Sequence, residues 1–110
     1  MMKQNLNSLP FLQVFADGLR QVAGGSIEKI LLIGSYARGD QTAESDVDIV
    51  VLLKASSEDL RDRIYDYLVD FMLEYEIDIS LKLIDHTTFH EWRRQAEPFT
   101  RSIEMEGIEV

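Results

Sequence analysis

Apolar residues recur at helical spacing in two stretches of the chain. From 9 to 23 they fall at three- and four-residue steps, which predicts an amphipathic helix that ends at Gly24. A second stripe runs from 60 to 72. It follows Ser56 and Asp59, whose spacing predicts a capping-box-like helix start. Each helix is expected to bury its apolar face against a sheet.

Three short runs have the spacing of strands. Residues 28–33 contain the apolar run Ile-Leu-Leu-Ile and stop at Gly34, and residues 46–53 become continuously apolar after the first three positions. Residues 76–84 alternate between apolar and polar side chains. Two short helices, the second starting at Pro98, and an edge strand at 108–110 should follow.

The order of these elements predicts one domain over residues 1–110 with an α+β (α/β-type) fold. We expect a small mixed sheet with helices mainly on one face. The carboxylates described below should sit on the other face, near one end.

Composition narrows the function classes. The 110 residues include 20 acids, 11 Lys and Arg and no Cys, for a net charge of −9. A thiol nucleophile, a disulfide framework and a thiolate zinc site are therefore excluded. The acidic excess argues against holding free nucleic acid by charge attraction. No apolar run approaches the roughly 20 residues of a membrane span, so we expect a cytoplasmic protein.

The candidate chemistry begins where the first strand ends. Gly34 and Ser35 lead into a helical turn, where a close backbone approach and outward N–H groups favour a phosphate. Taken alone, a Gly-Ser pair after a strand is more often only a turn. Arg38, one turn later, could reach the same phosphate or form a surface ion pair with Asp40 or Glu44.

Carboxylates supply the second part of the pattern. Asp46 and Asp48 share one face at a strand start, and Asp78 lies near the start of the next strand. Two adjacent carboxylates repel each other unless a cation joins them, and Mg²⁺ prefers one or two carboxylates with phosphate oxygens. A solvated strand end is the alternative for each Asp.

His86 and His90 have a spacing compatible with a metal, but no third ligand matches that spacing. Surface histidines are therefore the better interpretation. The sequence is also compatible with a homo-oligomer.

The joint pattern resembles the DNA polymerase β-like nucleotidyltransferase superfamily, and in particular its minimal nucleotidyltransferase branch, the MNT or MntA-type antitoxins. The resemblance rests on Gly-Ser-Tyr-Ala-Arg-Gly at 34–39 and Ser-Asp-Val-Asp at 45–48, supported by the tail from 97 to 108.

The resemblance implies a nucleotidyltransferase-like fold and a role for each matched residue. Gly34 and Ser35 would bind the β- and γ-phosphates of ATP, with Arg38 as a further phosphate contact. The three carboxylates would be both catalytic and metal-binding, with two Mg²⁺ ions; they are Asp46, Asp48 and Asp78.

The resemblance also implies a partner and a reaction. The enzyme would transfer AMP from ATP to a tyrosine hydroxyl of an HEPN-type toxin, as the antitoxin of a toxin–antitoxin pair. Two alternatives remain at this stage. The acceptor could be a small-molecule hydroxyl such as that of an aminoglycoside, or the chain could be a non-catalytic binding antitoxin.

Overall fold

The computed structural model describes residues 9–110, and a four-stranded mixed sheet lies at its centre. The elements follow the chain as α1 (Pro10–Ala23), a 3₁₀ turn (Gly24–Ser26), β1 (Ile27–Ile33), α2 (Gly34–Arg38), β2 (Val47–Leu53), α3 (Glu58–Tyr75), β3 (Ile79–Asp85), α4 (His86–Arg94), α5 (Pro98–Glu106) and β4 (Ile108–Glu109). The strand order is β3-β2-β1-β4. The predicted α+β class with a small mixed sheet is confirmed.

The central strand β2 sets the geometry of the sheet. It runs antiparallel to β1 and parallel to β3, so that Asp48 lies opposite Ile33 on one side and Ser80 on the other. The Val47 N–H donates to the carbonyl of Asp78 over 2.9 Å, which continues the pairing with the segment before β3. The starts of β2 and β3 therefore meet at the same end of the sheet.

Helices cover both faces of the sheet. The long helices α1 and α3 pack on one face, over alternate side chains of β2 that include Val47 and Ile49. On the opposite face, Phe89 of α4 and Ile103 of α5 pack over a second cluster that includes Val50. The two longest helices lie on one face, as predicted, and the shorter helices α4 and α5 cover the other face. Asp48 alternates with Val47 and Ile49 and so belongs to the α4/α5 face.

Aromatic side chains join the two long helices. The Phe15 ring lies 5.4 Å from that of Tyr67 and 4.9 Å from that of Phe71, measured between centroids. The Tyr67 hydroxyl donates to the Phe15 carbonyl over 2.9 Å. These contacts attach α1 to α3 and leave the opposite sheet face, with its carboxylates, to the shorter helices.

Two predicted boundaries were wrong by a small number of residues. Ser57, and not Ser56, caps α3, because its hydroxyl accepts a hydrogen bond from the Leu60 N–H over 3.1 Å. Asp78 precedes β3 instead of lying within it. Helix α3 ends at Tyr75, Glu76 follows in a left-handed conformation with φ 53°, and the strand begins only at Ile79. Among residues 9–110, no helix has the length and apolar character needed to cross a membrane.

Candidate active site

Gly34 brings the backbone against a carboxylate. It follows β1 directly with a φ of +73°, a conformation that residues with a side chain rarely adopt. A Cβ at this position would overlap Oδ2 of Asp48 on the neighbouring strand. The missing side chain therefore leaves the space that the Asp48 carboxylate fills.

Ser35 lies in the short helix that follows. This half-buried residue forms the first turn of α2, and its backbone carbonyl accepts hydrogen bonds from the N–H groups of Gly39 and Asp40, over 2.8 and 3.1 Å. Gly39 ends the helix in the left-handed region with φ 83°. These bonds hold the Gly34-Ser35 turn in place beside the start of β2.

Asp48 is the acid of the site whose pKa the fold raises. Its partial burial raises the pKa of its carboxyl, and the negative charge of Asp46 raises that pKa further. The positive charges of Lys82 and Arg38 act in the opposite direction. Asp46 is itself exposed. The charge of Asp46 therefore acts on Asp48, as the predicted proximity of the two carboxylates implies, and one cation from β3 and one from α2 act on Asp48 as well.

Asp78 lies at the same end of the sheet, but its side chain is more exposed than that of Asp48. It is exposed, and the structure pairs its backbone, through the Val47 N–H, with the start of β2. Within the described chain, no group of three or more His, Asp or Glu side chains is arranged to hold a metal. The assignment of Asp46, Asp48 and Asp78 to metal binding and catalysis therefore stays a prediction.

Arg38 is engaged in two ion pairs. Its guanidinium contacts Asp40 over 3.2 Å and Glu106 of α5 over 3.1 Å. The hydrogen bonds to Asp40 and then to Glu106 raise the pKa of this guanidinium. The ion-pair interpretation of Arg38 is thus found for Asp40, with Glu106 in place of Glu44. A phosphate contact by Arg38 would have to compete with these carboxylates.

The two histidines lie on the surface. Nδ1 of His86 is 2.8 Å from Oε2 of Glu28, and the rings of His86 and His90 stack with centroids 6.3 Å apart. Both are exposed. Their arrangement agrees with the interpretation of surface histidines.

Sequence reasoning did not select Lys82 or Gln41. Lys82 was visible only as a polar position in the alternation of β3, and the parallel register is what brings it toward Asp48. Gln41 lies in the loop between α2 and β2. Its Oε1 is the one buried side-chain N or O atom without a hydrogen-bond partner in residues 9–110. No motif signals either residue, because both depend on where distant segments meet.

The residues present fit a hard cation with a phosphate ligand. Asp46 and Asp48 supply oxygen donors, and Mg²⁺ is commonly held by one or two carboxylates together with substrate phosphates. The space left at Gly34 keeps the Asp48 carboxylate next to the turn that presents Ser35. This site therefore has the chemistry for a metal-bridged phosphate.

Sequence comparisons with known proteins cover most of the chain. A sequence model described as "Nucleotidyltransferase domain" matches residues 12–108. Two relatives from Methanocaldococcus jannaschii are each named "Putative protein adenylyltransferase". One is 35% identical over 79 residues, which cover 68% of this chain and 71% of the relative. The other is 27% identical over 103 residues, or 93% of this chain and 97% of the relative.

Solved structures show the same fold. A toxin–antitoxin with AMP-PNP superposes with a TM-score of 0.59 at 20% identity, over 88% of this chain and 70% of that chain. A toxin–antitoxin MntA-HpeT variant superposes with a TM-score of 0.56 at 19% identity, over 86% and 68%. In that variant two aspartates, two positions apart, are replaced by glutamate. With the family model spanning almost the whole chain, we conclude that this protein belongs to the nucleotidyltransferase domain family.

Proposed function

We propose that this nucleotidyltransferase is Mg²⁺-dependent and transfers AMP from ATP to a tyrosine hydroxyl of an HEPN-type toxin, which it thereby neutralises as an antitoxin. The observation that carries the proposal is the Asp48 carboxylate packed against Gly34, with Asp46 beside it. The proposal includes a single catalytic domain and a cytoplasmic location.

Two comparisons support a protein acceptor and an adenylyl donor. The relatives carry the name of protein adenylyltransferases, and the solved neighbours are toxin–antitoxin proteins, one of them with the ATP analogue AMP-PNP. The aspartates altered in the MntA-HpeT variant have the same two-residue spacing as Asp46 and Asp48.

The chain's own residues would mainly position the reactants. Gly34 and Ser35 would bind the β- and γ-phosphates with backbone N–H groups and a hydroxyl. Asp46 and Asp48 would hold Mg²⁺, which when bound stabilises charge on the attacking and leaving oxygens. Asp78, at the same end of the sheet, would take the proton of the attacking hydroxyl. No covalent enzyme intermediate is required, in keeping with the absence of Cys.

The test is to incubate the protein with ATP, Mg²⁺ and the product of its neighbouring gene, and to weigh that product by mass spectrometry. We expect the mass of one AMP to be added, at a tyrosine located by fragmentation. Asp46→Asn with Asp48→Asn should lower the rate at least about 100-fold. The matched control, Asp62→Asn with Asp66→Asn, changes the same charge on the exposed surface of α3.

Three outcomes would contradict the proposal. Undiminished transfer by the Asp46/Asp48 variant would show that these carboxylates are not the catalytic site. AMP transfer to an aminoglycoside, with no transfer to the protein, would favour the small-molecule acceptor. Neutralisation of the toxin without a mass change would favour a non-catalytic binding antitoxin.

A further inference from the structure

A groove of about 470 Å³ follows β3 at the edge of the sheet. Tyr65, Lys82, Trp92 and Phe99 are among the residues that line it. Within the described part of the chain, β3 pairs only with β2, so its other side is open. The groove thus combines aromatic rings, one cation and the free backbone of an edge strand.

Lys82 connects the groove to the site. Ser80 lies opposite Asp48, and Lys82 follows two positions later on the same face of β3. Its charge acts on Asp48 from this side. No carboxylate of residues 9–110 forms an ion pair with Lys82, whereas Arg38 is bound to two. Lys82 therefore leaves its positive charge available to a ligand.

The aromatic rings present a surface for another ring. Trp92 and Phe99 meet edge to face, with centroids 6.4 Å apart and an interplanar angle of 68°. Both are half-buried, so part of each ring stays accessible from the groove. The Lys82 Nζ lies 5.9 Å from the centroid of Phe99, which places the ammonium group beside the same surface. An aromatic ligand with an acidic hydroxyl complements this combination.

The strand order places the groove on the attacking side. The Gly34-Ser35 turn follows β1, Asp48 lies in β2 with Asp46 just before it, and β3 lies beyond β2. In nucleotidyl transfer the attacking and leaving oxygens are roughly in line through the phosphorus. If the pyrophosphate leaves on the side of β1 and α2, the attacking hydroxyl arrives from the side of β3.

We propose that this groove is the acceptor site and that it takes a phenolic side chain, with the ring against Trp92 and Phe99 and the oxygen close to Lys82. The inference rests on the proposed function, since it assumes that the triphosphate binds at Gly34 and Ser35. The phenolic oxygen forms a bond to the α-phosphorus, and the bond from that phosphorus to the bridging oxygen breaks. Pyrophosphate leaves with the electron pair, and the phenolic proton passes to Asp78 and from there to water.

Lys82 would act on the acceptor by favouring its ionised form. The pKa of a tyrosine hydroxyl is about 10, so that only a small fraction is phenolate at neutral pH. A nearby ammonium group stabilises the phenolate and increases that fraction. Lys82 is thus assigned to the attacking oxygen and not to the leaving pyrophosphate.

Trp92 is the sole tryptophan of the chain, so its fluorescence reports on the groove directly. The experiment titrates N-acetyltyrosinamide into the protein with Mg²⁺ and AMP-PNP, beside N-acetylphenylalaninamide, which lacks the hydroxyl. We expect a saturable change with a preference for the phenol. Lys82→Met should weaken phenol binding about tenfold. Lys54→Met, which removes the same charge at the other end of β2, should leave it unchanged.

A pH profile separates this role from a merely structural one. For AMP transfer to the protein acceptor, the defect of Lys82→Met should be largest near neutral pH and shrink as the pH approaches about 10, where the phenol ionises unaided. Lys82→Arg should restore much of the rate. A pH-independent defect would contradict the assignment.

Two results would overturn the acceptor site itself. One is a saturable change in Trp92 fluorescence on adding AMP-PNP without phenol, together with weaker AMP-PNP binding by Lys82→Met. This result would show that the groove binds the nucleobase. The other is the absence of a response to the phenol together with an unchanged acceptor KM in Phe99→Ala. Both are distinct from failure of the proposed function, which undiminished transfer by the Asp46/Asp48 variant would reveal.

Discussion

At Gly34 the chain depends on a missing side chain for two reasons. The backbone there has a φ of +73°, and the Asp48 carboxylate occupies the space that a Cβ would need. The sequence predicted a close backbone approach at Gly34 but not the group that approaches it. The antiparallel pairing of Ile33 with Asp48 is what brings the two together.

We expect Gly34→Ala to lower the free energy of unfolding by about 2–4 kcal/mol, because it adds backbone strain to an overlap with Asp48. It should also abolish nucleotide binding, since the carboxylate must move. Urea denaturation measures the first effect, and calorimetric titration with ATP and Mg²⁺ measures the second.

Two other glycines allow the backbone strain and the overlap with Asp48 to be tested separately. Gly24→Ala retains the strain of a positive φ in open space, and Gly25→Ala has neither strain nor overlap. Both variants should bind nucleotide as the wild type does. A Gly34→Ala variant that still binds ATP normally would show that the contact with Asp48 has no part in the site.

At the scale of elements, helix and strand periodicity is the most informative signal in this chain. It predicts α1, α3 and the strands β1, β2 and β3 in their order. The short helix α2 was expected from the Gly-Ser turn and α5 from Pro98, and the 3₁₀ turn at Gly24–Ser26 was not predicted. The sequence determines the helix boundaries less well, because Ser56 and Ser57 are adjacent and either serine is a suitable N-cap residue for α3. The fold selects Ser57, whose hydroxyl reaches the Leu60 N–H.

Ser57→Ala should therefore lower the free energy of unfolding by about 1 kcal/mol, since the Leu60 N–H loses its capping partner. Ser56→Ala should change it by less than about 0.5 kcal/mol, as expected for an exposed position. Chemical denaturation of the two variants checks both values. A larger loss in Ser56→Ala than in Ser57→Ala would reverse the assignment of the cap.

Ion pairs between elements cannot be predicted from periodicity in the same way. Arg38 pairs with Asp40 two residues away, as local spacing suggests, but also with Glu106, which is 68 residues distant. No periodicity indicates the second pair. It arises because α2 and α5 meet beside β1, and it connects the helix that begins at Gly34 to the last helix.

At the scale of the whole molecule, the position of Asp48 in the site lowers the stability of the fold at neutral pH. Burial and then Asp46 raise the pKa of this carboxyl above its usual value. The folded state therefore binds the Asp48 proton more tightly than the unfolded chain does. This contribution favours folding at acidic pH and is lost as the pH rises through the folded-state pKa. At neutral pH the ionised group costs stability.

Asp48→Asn should thus raise the melting temperature at neutral pH without metal or nucleotide. The gain should shrink as the pH falls from neutral through the raised pKa of the wild-type carboxyl, which is then protonated as well. Thermal unfolding across this range measures the effect, and exposed Asp62→Asn is the control. A lower melting temperature for Asp48→Asn at neutral pH would contradict the direction of the pKa shift.

The sequence by itself determined the elements, their order, the glycine-serine turn and the acidic pair. Each of these depends on neighbours within a few residues, through side-chain periodicity and backbone preference. The tertiary structure alone decided which strands adjoin. It placed Asp48 against Gly34, Glu106 on Arg38, and Lys82 near both Asp48 and the ring of Phe99. Such contacts depend on strand order and register, which short-range patterns do not encode.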